Sequence, residues 1–94
     1  MKQLFTAQAT NADSAEITWP GGAGILAAEG TWDSGTIKVQ ISPDGGTTFV
    51  DLTDISITAD GTKTFIAPPG QLKLNLAGAT TPALDAWVSG TEVD

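Results

Sequence analysis

The sequence predicts an all-β fold: a single β-sandwich or jelly roll of about eight short, mainly antiparallel strands, forming one domain over residues 1–94. Three observations carry that prediction. Apolar and polar residues alternate in short runs, the two-residue period of a half-buried strand. Eleven glycines and five prolines interrupt the chain every several residues, which leaves no room for a long helix. No segment sustains a 3.6-residue apolar period.

The elements follow in order. "LFTAQAT" alternates loosely, with Phe5, Ala7 and Ala9 on one side. "AEITW" puts Ala15, Ile17 and Trp19 on one face before Pro20 and Gly21 stop it. "GILAAEGTW" is more continuously apolar, and the face Leu26, Ala28, Gly30, Trp32 is expected to point inward. "TIKVQIS" alternates most cleanly, with Ile37, Val39 and Ile41 inside and Lys38 and Gln40 outside. "TTFVDL" and "DISIT" follow, the latter setting Ile55 and Ile57 against Asp54, Ser56 and Thr58. After the turn "ADGT" comes "TKTFIA", and "APPG" separates it from "QLKLNLAG", whose Leu72, Leu74 and Leu76 share a face. "ALDAWVSG" closes the series. No internal repeat, linker or low-complexity segment divides the chain.

Composition removes whole classes of chemistry. The chain has no His, Cys or Tyr, and its four basic residues are all lysines. General acid–base catalysis most often uses His, and activated Ser or Cys nucleophiles usually need it as their base. Zinc, copper and iron sites lean on His and Cys. We therefore expect no enzyme and no cofactor. The net charge of −7 and pI near 4.1 argue against nucleic acid, which is held by clustered Lys and Arg. Anionic membrane surfaces are disfavoured on the same ground. The start "MKQLFTAQAT" lacks the apolar core of a signal peptide. A short β domain without disulfides often gains stability by associating, so a homo-oligomer is expected, a trimer being one form.

"SPDGGTTF" could hold a ligand or simply turn the chain. Pro43 fixes φ for a turn, Asp44 can bond the local backbone, and Gly45 and Gly46 accept positive φ. Ser42, Asp44, Gly45, Gly46, Thr48 and Phe49 are thus a structural turn, and they resemble the Asp-box hairpin of sialidase-type propellers, generally a turn-stabilising element. One copy cannot build a propeller. Asp44, Asp51, Asp54 and Asp60 could supply calcium oxygens, but no EF-hand spacing or repeat array accompanies them. No metal is expected.

The three tryptophans differ. Trp19 and Trp32 continue the apolar faces of their strands, so packing at the core or its rim is the default for both. In "ALDAWVSG" the apolar face is Leu84, Ala86, Val88, which puts Trp87 with Asp85 and Ser89 on the other side. A tryptophan there suits an interface or a sugar platform. The interface candidates are Trp87, Asp85 and Trp32.

The runs "GILAAEGTWDSGTIKVQISPDGGTTFVDL" and "PPGQLKLNLAGATTPALDAWVSG" resemble a recurrent type of small virion structural protein of tailed bacteriophages. Such proteins combine a Gly-Thr-Trp hairpin (Gly30 to Trp32), a strand ending Ser-Pro-Asp-Gly-Gly-Thr-Thr-aromatic (Ser42 to Phe49), a Pro-Gly-Gln turn into an alternating strand (Pro69 to Leu76) and a final segment ending in Ala-Trp (Gly78 to Trp87). Phe49 stands where Trp is commoner, and residues 1–20 carry none of the resemblance. The resemblance implies a non-enzymatic capsid decoration or cement protein, bound in many copies to the major capsid protein shell or other virion proteins. Its place would be the capsid surface, after synthesis in the host cytoplasm. The alternative is a tail or adhesion module that binds host carbohydrate through Trp87 or Trp32. A third reading, a module of a larger polypeptide, is disfavoured by the Met1 start and the short tail "TEVD".

Overall fold

A computed structural model describes residues 2–90, apart from the side chains of Thr53 and Asp54. Every element in it is a strand: β1 (Lys2–Gln8), β2 (Ala12–Asp13), β3 (Ile17–Trp19), β4 (Gly22–Thr31), β5 (Thr36–Ser42), β6 (Val50–Ile57), β7 (Gly61–Ala67), β8 (Gly70–Ala77) and β9 (Ala83–Gly90). All pairings are antiparallel. One sheet has the order β1-β9-β4-β7; the other has β2-β8-β5-β6, with β3 also on β8.

That order is a jelly roll. Its centre is the hairpin β5–β6, around which β4 pairs β7, β3 pairs β8 and β1 pairs β9. The nested pairs alternate between sheets, and the β9–β4 and β8–β5 pairings seal the roll. Strand spacing alone could not separate this from a plain sandwich; the order of pairing does.

The inner faces build one core. Leu26 and Ala28 of β4, Phe65 and Ala67 of β7, and Leu84, Ala86 and Val88 of β9 face Ile37, Val39 and Ile41 of β5 and Leu72, Leu74 and Leu76 of β8. Apart from Phe65 and Ala67, these are the alternating positions that the sequence picks out, because a strand between two sheets has one dry face. Trp19 crosses from the second sheet toward the first, its ring against Phe65 at a 5.2 Å centroid separation. Gly24 and Gly90, opposite each other on β4 and β9, form the floor under that ring, and a Cβ on either would overlap it. Burying the ring stabilises the fold by about 4–6 kcal/mol. The indole Nε1–H finds no acceptor among the described residues, a cost of about 1–3 kcal/mol. Burial wins.

Two sequence expectations need correction. Phe5 is buried, but Ala7 and Ala9 do not join it: both are exposed. The register of β1 against β9 shifts between Gln3 and Phe5 and again before Gln8, and Ala7 takes φ 46°. A bulged strand loses the simple alternation. Gly30 is also exposed rather than inward and takes φ 133°, and Trp32, just past the end of β4 at Thr31, is only half-buried.

Candidate interaction surface

The two outer faces of the sandwich are chemically unlike. The five-stranded face is mainly polar, with Val50 exposed at its β6 edge, and much of its charge is paired within it. Lys73 Nζ lies 2.7 Å from Asp13 Oδ2 and 4.2 Å above the centre of the Phe49 ring. Asn75 donates to the other Asp13 oxygen at 2.7 Å. The Lys73 hydrogen bond first, then that of Asn75, holds the Asp13 carboxyl below its ordinary range. Asp51 accepts from Gln40 at 2.7 Å, with Lys38 at 3.6 Å.

The outer face of the four-stranded sheet is uncharged over most of its width and mixes apolar side chains with small polar ones. Cross-strand register sets Gln3, Trp87, Ala27 and Thr62 in one row and Ser89, Ile25 and Thr64 in the next. A third pair is Ala23 and Ile66. Ile25 is 41% exposed and Ile66 79%, unusual for large aliphatic side chains on neighbouring strands. A shallow depression of about 350 Å³ lies among Ala23, Ile25, Thr64 and Ser89. A second, of about 470 Å³, continues around the β7 edge to Ile55.

Trp87 is thus half-buried near the middle of this face. Its outward direction is secure, since β9 and β4 pair without a break from Ala83 to Gly90. Asp85 lies beside it, but with one oxygen engaged: Oδ1 accepts from Ala7 N at 2.8 Å and from Gln3 Nε2 at 3.4 Å. This pins the β1 bulge to β9. Trp32 is elsewhere, five residues past Ala27 on the chain. Its Nε1 donates to Asp60 Oδ1 at 2.8 Å, which also accepts from Gly30 N. That arrangement ties the end of β4 to the β6–β7 turn. The structure therefore joins Trp87 and Asp85 and leaves Trp32 apart from them.

The "SPDGGTTF" segment is a self-contained turn. Ser42 Oγ donates to Asp44 Oδ1 at 2.7 Å and accepts from Gly46 N at 2.8 Å, while Thr48 N donates to Asp44 Oδ1 at 2.8 Å. Gly45 and Gly46 take φ 81° and 108°. Ser42 is fully buried, because both hydroxyl functions are used locally. The Ser42 hydroxyl and then the Thr48 N–H lower the Asp44 carboxyl to about 2. Phe49 serves as the platform under Lys73. Of the other calcium candidates, Asp51 and Asp60 have the partners given above, and the Asp54 side chain lies outside the described residues. Among the described residues no three acidic side chains are grouped to hold a metal.

Sequence reasoning did not single out Ile25, Ile66 or Glu29. Ile66 was within reach: with Phe65 and Ala67 inward, alternation sends it outward. Glu29 needed the register, which sets it directly opposite Asp85. No protein-family model matches the chain, and no curated protein matches it.

Proposed function

We propose that this chain is a non-enzymatic structural protein of a tailed-phage virion, a capsid decoration or cement protein held in many copies on the head shell. The observation that supports it most is the contrast between the two outer faces. A decoration protein needs one face that adheres and one that stays wet. The face around Trp87, Ile25 and Ile66 suits burial against another protein. The five-stranded face, with its ion pairs, suits solvent, and a net charge of −7 keeps crowded copies soluble. The residue pattern shared with small virion proteins adds to this. The jelly roll does not choose, since capsid and lectin domains both use it.

The carbohydrate alternative is less well supplied. A sugar site needs an aromatic platform with converging polar groups. Of the polar groups near Trp87, which also include Ser89, Gln3 and Asp85 are bonded to each other and to the β1 backbone. Mass spectrometry and cryo-microscopy of particles from the encoding phage test the proposal. Copies of the chain arrayed on the shell are expected; confinement to the tail or absence from the particle would contradict it.

A further inference from the structure

We propose that the outer face of the four-stranded sheet receives a protein surface of apolar side chains flanked by lysine or arginine, and that Glu29 and Asp85 select it. The inference rests on the docking role above but asks a separate question, namely what chemistry the face accepts.

Three observations lead there. First, Glu29 and Asp85 are directly opposed on β4 and β9. Their Cβ atoms are therefore about 5 Å apart, a distance at which like charges destabilise a sheet. Second, among the described residues no lysine forms an ion pair with either. Lys38 and Lys73 project from the other sheet and have their own partners. Lys2 and Lys63 are exposed on the edge strands β1 and β7, in register with Val88 and Leu26 and not with the acidic pair. Among the described residues the Glu29 carboxylate makes no hydrogen bond or ion pair. Third, this diacid borders the Trp87–Ala27 row of the apolar face, so one partner can cover both.

The face is also large enough. Four strands about 4.8 Å apart and eight residues long at about 3.3 Å each project on the order of 500 Å². Side-chain relief raises that toward the roughly 800 Å² per partner of a specific interface. A second copy is the wrong occupant. It would bring another −7, another Glu29–Asp85 pair and no lysine on its own matching face. A partner with Lys or Arg beside an apolar ridge relieves the repulsion and fills the depressions at once.

Amide NMR titration of the intact chain tests this with three probes of one shape: phenethylammonium, phenethyl alcohol and phenylacetate. Shifts should gather at Ile25, Ala27, Glu29, Asp85 and Trp87. The cation should bind about two- to fivefold tighter than the alcohol at low salt, with phenylacetate weakest. Glu29→Gln or 0.5 M salt should remove that preference while the alcohol still binds. Equal binding of all three probes, or shifts gathered elsewhere, would overturn the proposal. Shifts at this face that grow with protein concentration alone would overturn it in favour of a second copy. Absence of the chain from phage particles would end the decoration role and leave this result standing.

Discussion

Asp44 holds the β5–β6 connection through hydrogen bonds it accepts, from Ser42 Oγ and Thr48 N. Those donors favour the ionised carboxyl, so its folded pKa, about 2, lies below the ordinary 3.8. A depressed pKa contributes stability that is present above the unfolded value and is lost as pH falls through the folded one. Thermal unfolding of the parent and of Asp44→Asn between pH 7 and pH 2 should show this. The variant should melt lower at neutral pH, and the gap should close as pH falls from about 4 to about 2. A gap that stays constant with pH would mean the turn depends on shape and not on the charge. Asp33, lowered by the Thr81 hydroxyl and N–H, adds to the loss in the same direction. The Ser42–Phe49 turn was legible in the sequence because all its partners lie within a few residues. Asp60's bond to Trp32 was not, since it joins positions 28 residues apart.

At the scale of strands, the slot for Trp19 is the most demanding fit. Gly24→Ala places a methyl group inside the ring's surface, and overpacking of this kind costs about 1–3 kcal/mol. Chemical denaturation should report that loss, and an unchanged midpoint would show that the ring shifts freely. Lys63 illustrates a different strand function. It sits on the edge strand β7, and its register partner Leu26 points inward. Its own side chain is exposed at that edge, and a charge on an edge strand discourages edge-to-edge pairing. Lys63→Val should therefore leave the melting temperature near its parent value and raise light scattering at high concentration. Equal scattering from parent and variant would remove that role. The inner faces of β5, β8 and β9 were readable because each keeps strict alternation between two dry sheets. β1 was not: its register is set by Asp85, reaching Ala7 from the far end of the chain.

For the whole molecule, the sequence could place strands but not order them. Pairings such as β1 with β9 and β4 with β7 join segments far apart in the chain, and alternation records only which side of a strand is dry. The outward direction of Trp87 was readable from Leu84, Ala86 and Val88. The company it keeps was not, because Ile25 and Ile66 reach its face through register with β4 and β7. That company makes Trp87 part of a surface instead of an isolated exposed ring. Trp87→Ala tests the claim most directly, with melting temperature and occupancy on purified heads measured on the same protein. The prediction is a melting temperature near that of the parent and strongly reduced occupancy, since truncating a central interface tryptophan typically costs about 2 kcal/mol or more of binding. Unfolding of the isolated variant, or undiminished occupancy of the shell, would contradict it.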